Sequence, residues 1–296
     1  MRFSEAVTIN AAVTWLPEPS GSPAARAAEL LVPQPPSALD MAVSAARDAL
    51  TLAGVEGVEI DLLMHNSLSR HGDDSRCPAH DVACRIGAIA AVPLGIQQGC
   101  HSGTMALYSA AIQLVTDPAV ETVLVTTADA HAPADSGGGT SGHAAHHDGA
   151  AAAVLSSSGS GLRLVAQVVH ATADGDASAD AGPDAVRKVL TQALAEAGLA
   201  AGDPRIRQVA LPRLGAPTLE SVYLLVVRET LTGTPRPVPA RTGHLGCGDT
   251  LACLADITDQ RLLDPGEFAL VLTGDGGFTW SCLVVQQPER GEGSHR

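Results

Sequence analysis

Of the six cysteines in this 296-residue chain, one stands where a thiol can do chemistry. Cys100 lies in the run Gly99-Cys100-His101-Ser102-Gly103, at the first turn of a helical pattern whose apolar residues run from Met105 to Leu114. A helix N-terminus presents unpaired N–H groups and the positive end of the helix dipole, and both favour a thiolate over a thiol. The backbone N–H of Cys100 is itself placed to help bind an oxyanion. A thiol in that setting can take up an acyl group as a thioester and pass it on. The competing reading, a buried cysteine that only fills space, suits the other five: Cys77, Cys84, Cys247, Cys253 and Cys282. These have no framework spacing and no CxxC pair, so they read as reduced thiols. A histidine group, His131, His143, His146 and His147, matches no standard zinc signature, and only Asp148 stands by to close a tetrahedral site. It reads instead as a substrate-side Gly/Ser/His loop over 132–147, with no metal expected. Gly137 to Gly139 lack the strand–loop–helix context and the Lys-Ser/Thr of a phosphate loop, and no cofactor is expected.

The elements that must position Cys100 occur in an order that repeats. In the first half, helical spacing over Met41–Ala53 is followed by a short strand at Asp61–His65, the helix after Cys100, and a strand at Glu121–Thr127. In the second half, a helix over Val186–Ala197 precedes a strand at Gln208–Leu211, a helix opened by Asp249 over Leu251–Ile257, and a strand at Phe268–Thr273. Two of the helices share an ending, Ala49-Leu-Thr-Leu-Ala-Gly54 and Ala193-Leu-Ala-Glu-Ala-Gly198, and an internal duplication is the simplest account. The helices after Cys100 and Asp249 are apolar or small nearly all round, which predicts burial on every side. Two such helices between two sheets, one sheet from each half, give a layered α/β/α/β/α body in which the helix starts meet. The Asp/Gly/Ala/Ser stretch Asp174–Pro183 reads as the linker, dividing the chain into 1–173, with the cysteine, and 174–296. Pro17–Ser37 and the tail from Gln287 read as irregular surface.

Bulk properties narrow the class. Hydrophobic residues are 45% and charged residues 17%, which is globular; aromatics are only 2%, so the core must be built from Ala, Val, Leu and Ile. A net charge of -14 without a basic cluster argues against a nucleic-acid partner. No run approaches the ~18 apolar residues of a membrane span and no signal core precedes Asn10, so a cytoplasmic protein is expected.

Several segments in order resemble the ketoacyl synthase III family: Gly99-Cys100-His101-Ser102-Gly103 with its Ala-rich helix, the strand Thr122-Val-Leu-Val-Thr-Thr-Ala-Asp129, the run Asp148-Gly-Ala-Ala-Ala-Ala-Val-Leu155, and Gly276-Gly277-Phe278-Thr279-Trp280. The resemblance spans about Met41 to Val285. It implies the thiolase fold, a homodimer, an acyl-Cys100 intermediate, and an oxyanion hole pairing the Cys100 N–H with one from the Gly276-Gly277 turn. Elongating members carry a His in a Pro-His-Gln-Ala-Asn run and an Asn in a Gly-Asn-Thr run, both donating to the enolate of decarboxylated malonate. Here the first run reads Leu211-Pro212-Arg213-Leu214-Gly215 and the second Gly248-Asp249-Thr250. An ionised Asp only accepts hydrogen bonds and repels an enolate, so decarboxylative condensation is disfavoured. Asp249 can instead orient a histidine base. His244, five residues upstream in Gly243-His244-Leu245-Gly246-Cys247-Gly248-Asp249, is the candidate, and this run resembles a natural-product subgroup that acylates hydroxyls or amines. His101 is the alternative base, and Arg213 and His101 are candidate contacts to substrate or carrier.

The expectation is an acyltransferase of natural-product (antibiotic) biosynthesis. It would take an acyl group from an acyl-carrier protein or coenzyme A, hold it on Cys100, and pass it to a hydroxyl or amine of a small molecule without decarboxylation. A condensing enzyme of the synthase III type and a non-catalytic subunit paired with a related chain are the alternatives. An unperturbed His244 would titrate near roughly 6.5.

Overall fold

The computed structural model describes residues 1–3, 7–17, 36–68, 77–130, 146–172, 181–274 and 278–289. Helix α1 (Ala38–Ala53) starts where Ser37 accepts the Asp40 N–H and the Asp40 carboxylate accepts the Ser37 N–H, a reciprocal capping box. It stops at Gly54, whose φ of 68° is left-handed backbone that glycine adopts freely. Around it the chain runs β1 (Thr8–Trp15), α1, β2 (Leu62–Asn66), α2 (Pro78–Ile86), β3 (Val92–Leu94), α3 (Ser102–Thr116), β4 (Thr122–Asp129) and β5 (Gly149–Ser156). The second series is β6 (Leu162–Ala171), α4 (Ala181–Ala197), β7 (Ile206–Ala210), a helix α5 built of Ala216–Thr218, the wider turns Leu219–Leu224, and Leu225–Thr230, then β8 (Arg236–Pro237), α6 (Asp249–Asp259), β9 (Phe268–Gly274) and β10 (Thr279–Gln286). The order β-α-β-α-β-α-β-β thus occurs twice.

Strand pairing carries the same repeat. The sheet order is β3-β2-β4-β5-β1 followed by β6-β10-β9-β7-β8, so the second set is the first in reverse. Among the described residues β1 and β6 meet edge to edge through Thr8 with Arg163 and Ile9 with Leu162. Strand β6 pairs along its length with β10, from Arg163 opposite Gln286 to Ala171 opposite Thr279. The second unit of the repeat therefore begins at β6, on the N-terminal side of the break read at 173/174; Asp174–Asp180 lie outside the described residues.

Burial sorts the side chains into layers. On β5, Ala151, Ala153 and Leu155 face a central core while Ala150, Ala152 and Val154 face an outer one, the two-residue alternation of a strand covered on both faces. The central core joins both strand sets to α3 (Ala106, Leu107, Ala110, Leu114) and α6 (Leu251, Leu254, Ile257). The first set packs outward on α1 and α2, and the second on α4 and α5. This is a five-layer α/β/α/β/α arrangement with α3 and α6 in the middle. Small residues let the middle layer close: a Cβ on Gly103 of α3 would collide with the Cys247 carbonyl ahead of α6. Beside that contact Thr104 and Thr250 hydroxyls meet at 2.5 Å. No helix among the described residues is long and apolar enough to cross a membrane.

Candidate active site

Cys100 sits just ahead of α3 rather than within its first turn, because His101 occupies the N-cap position and the helix begins at Ser102. The turn that carries it is latched by Ser102, whose hydroxyl accepts the Gln98 N–H at 2.7 Å and donates to the Gly99 carbonyl at 2.8 Å. Gly99 supplies the left-handed φ of 54° that the turn needs. His101 is 1% exposed, enclosed in the interior beside the nucleophile.

From the other half, the segment before α6 brings His244 to Cys100. The Nε2 of His244 lies 3.7 Å from the Cys100 Sγ, and its Nδ1 lies 2.7 Å from Asp249 Oδ2. A carboxylate can only accept, so Nδ1 carries the proton and Nε2 is the nitrogen offered to the thiol. Asp249 is fixed in turn. Its Oδ1 accepts the Leu245 N–H at 2.8 Å and its Oδ2 the Arg213 N–H at 3.2 Å. Burial opposes charge on His244, but the hydrogen bonds to Asp249 and Cys100 and their charges outweigh it and push the imidazolium up to about 10. The ordinary histidine value expected from sequence is therefore displaced upward, and His244 is an imidazolium at neutral pH.

A third contact steadies His244 from the first half. The His146 ring packs against it with centroids 4.5 Å apart, and the His147 N–H donates to the His244 carbonyl at 2.8 Å. His131 and His143 lie outside the described residues, as do Gly276 and Gly277 of the expected oxyanion hole.

Arg213, a candidate contact for substrate or carrier, is buried and paired. Its side chain is 3% exposed and its guanidinium reaches Asp256 at 2.6 Å, the Asp249 carbonyl at 2.9 Å and the Cys253 Sγ at 3.2 Å. It braces α6, the helix that bears Asp249. Arg205, Arg207 and Arg241 are likewise occupied, by Asp203, Glu267 and Asp259.

The remaining cysteines divide by environment. Burial raises the thiols of Cys247, Cys253 and Cys282, and Asp129 adds to the effect at Cys247. Cys77 and Cys84 are exposed on or beside α2. Asp129 itself received no role from the sequence. It is fully buried at the end of β4 and its carboxylate accepts the Leu68 N–H at 2.6 Å and the Cys247 thiol at 3.2 Å, tying the turn before α6 to the first half. A carboxylate closing the apolar strand Thr122–Ala128 was the available signal.

No family model and no curated protein matches the sequence. Solved structures do match in fold. ChlB3, described as an acyltransferase, superposes with a TM-score of 0.77 at 23% identity over 96% of this chain and 98% of its own. AbyA1, described as a tetronic acid condensing enzyme, gives 0.74 at 21% identity, covering 94% and 99%. The 3-oxoacyl-(acyl carrier protein) synthase III FabH of Pseudomonas aeruginosa PAO1 gives 0.73 at 20%, covering 96% and 99%. With nearly the full length of the chain superposing on these structures, the chain has their fold, the five-layer thiolase fold.

Proposed function

We propose that the protein is an acyltransferase that moves an acyl group from a carrier-protein or coenzyme A thioester, through Cys100, to a hydroxyl or amine of a small molecule in natural-product biosynthesis, without decarboxylative condensation. The observation that carries this is the His244 ring held between Asp249 at 2.7 Å and the Cys100 sulfur at 3.7 Å. The position where a condensing enzyme would need a donor to an enolate is filled by a carboxylate that already accepts three N–H groups. The fold shared with ChlB3, described as an acyltransferase, supports the same reading.

In the first half-reaction the Cys100 thiolate attacks the thioester carbonyl. The new S–C bond forms, the donor C–S bond breaks, and the departing donor thiolate takes the His244 proton. Cys100 is then a neutral thioester and His244 a neutral imidazole. Loss of the Cys100 charge removes one of the influences that hold the His244 proton, so acylation itself prepares the base. In the second half-reaction Nε2 takes the proton of the acceptor O–H or N–H as that atom attacks the carbonyl. Cys100 leaves as the departing sulfur and His244 is again an imidazolium. The Cys100 N–H, with Gly276 and Gly277, is assigned the oxyanion in both steps.

A homodimer is supported by the edge strand β3, where Val92 is 57% and Leu94 40% exposed, with Ile89 at 82% just before it. The deciding experiment is intact-mass spectrometry after incubation with acyl and malonyl thioesters. Acylation at Cys100 without carbon dioxide release is expected. Release of carbon dioxide with formation of a longer β-ketoacyl product would overturn the transfer reading in favour of condensation.

A further inference from the structure

Asp249 and Cys100 hold His244 by its two ring nitrogens, at 2.7 Å and 3.7 Å. The N–H and the lone pair of an imidazole lie in the plane of the ring, so these two contacts fix its reach and leave it free to rock about the line between them. What meets the face of the ring is His146, with centroids 4.5 Å apart and planes tilted by 39°. That is the range in which aromatic rings pack favourably. An uncharged aromatic face also attracts an imidazolium, whereas a second cation at that distance would repel it. The backbone holds the platform in register. His146 and His244 stand opposite each other in a parallel bridge, and the His147 N–H donates to the His244 carbonyl at 2.8 Å. One residue earlier, the His147 ring covers the Gly243 backbone, where a Cβ would come within 2.7 Å of it. One residue later, the Leu245 side chain reaches Gly149, whose Cβ would stand 3.0 Å from Leu245 Cδ2. Gly149 opens β5, a strand buried along its whole length, so the residues that cover Gly243 to Leu245 rest on a rigid element of the first half.

Resting on the transfer reading above, we propose that His146 is a positioning residue for acyl transfer: its ring, acting uncharged, is the platform that keeps the His244 ring in line between Asp249 and Cys100 while the acceptor's proton is taken up. The acceptor's proton goes to His244 Nε2, and none passes through His146. The platform matters most in the discharge of acyl-Cys100, where Nε2 must lie on the path of the attacking O–H or N–H, and a displacement of about 1 Å there costs ~100-fold in rate.

The test uses the full-length protein loaded at Cys100 from acetyl, hexanoyl and benzoyl N-acetylcysteamine thioesters, with discharge followed by intact-mass spectrometry. Water and 1-propanol are the probes that need a base, and hydroxylamine, a nucleophile strong enough to attack a thioester unaided, is the probe that does not. His146→Ala should slow discharge to water and 1-propanol by ~10- to 100-fold and leave discharge to hydroxylamine within about threefold of native. His146→Phe, which restores a flat uncharged ring and carries no titrating proton, should recover most of the lost rate. Native discharge to water and 1-propanol in His146→Ala overturns the proposal. So does an equal slowing with all three probes, which is a general disturbance of the site and not the loss of a placed base. A rate in His146→Phe as low as in His146→Ala overturns it as well, because His146 would then act through its own nitrogens. Failure of Cys100 to load from any thioester counts against the transfer reading instead. The platform is then read from alkylation of the unloaded protein by iodoacetamide, followed on the Cys100 peptide, which reports whether His244 stays against the sulfur. A changed rate in His146→Ala that returns to native in His146→Phe is expected, and the same rate in all three proteins overturns the platform.

Discussion

Replacing Asp249 by Asn changes one atom at the centre of the site and should separate its two half-reactions. The carboxylate accepts the His244 Nδ1–H at 2.7 Å, the Leu245 N–H at 2.8 Å and the Arg213 N–H at 3.2 Å. An amide offers one acceptor oxygen and one donor NH2. If its oxygen stays with Leu245, the NH2 faces His244 and turns the ring to the tautomer whose Nε2–H points at Cys100. If it flips, NH2 confronts the Leu245 N–H. In both cases the negative charge is gone. His244 is raised from 6.5 to about 10, which at about 1.4 kcal/mol per pH unit is roughly 5 kcal/mol of imidazolium stabilisation. The Asp249 hydrogen bond outranks that of Cys100 and the Asp249 charge outranks the Cys100 charge, so together the two Asp249 influences account for about half or more of this, ~2–3 kcal/mol or ~100-fold in proton affinity. The assay loads Cys100 with an acyl thioester, removes the donor, and follows discharge to an alcohol or to water by intact mass over about pH 6 to 10. In the native protein discharge should rise with pH along a limb between 6.5 and about 10, since Cys100 no longer contributes once acylated while Asp249 still does. In Asp249→Asn the limb should move toward 6.5 and the plateau should fall by ~100-fold or more, through loss of the productive tautomer. An unchanged limb and plateau would refute the claim that Asp249 charges and orients His244.

Cys100→Ala should abolish acylation with the melting temperature little changed, whereas Cys247→Ala and Cys253→Ala should keep acylation and lose about 1–3 kcal/mol in chemical denaturation, because each thiol is hydrogen-bonded to a buried charged group. Arg213→Ala should destabilise by about 3–5 kcal/mol, leaving Asp256 buried and unpaired, and the measurement is a urea melt rather than a donor KM. His244 holds its proton more tightly folded than unfolded, so the stability it contributes is complete below about 6.5 and is lost as pH rises toward about 10. Melting temperature should fall across that window in the native protein and fall less in His244→Ala. Gly103→Ala should prevent α3 from seating against the Cys247 carbonyl, and circular-dichroism melts should show a loss larger than a surface Gly→Ala change gives.

Periodicity and local chemistry made much of this molecule legible. The 3.6-residue patterns around Met41–Ala53 and Val186–Ala197 and the apolar runs at Glu121–Thr127 and Phe268–Thr273 became α1, α4, β4 and β9, with ends moved by a few residues. Helices without a polar face pointed to the central layer because such helices have nowhere else to go. The types of Cys100, His244 and Asp249 defined what chemistry they could do. Other elements left no such trace: α5 with its wide turns, the β6 strand that begins the second repeat, and α2 take their form from packing against partners far along the chain. What only the tertiary structure decided are the relations across the two halves. It set the Cys100–His244 separation, turned Arg213 inward onto Asp256 instead of outward, and enlisted Asp129 and His146 from the first half to hold the segment that carries His244. Those relations join residues more than 30 positions apart, and a charge's partner or a ring's proton affinity depends on distance and burial rather than on order along the chain.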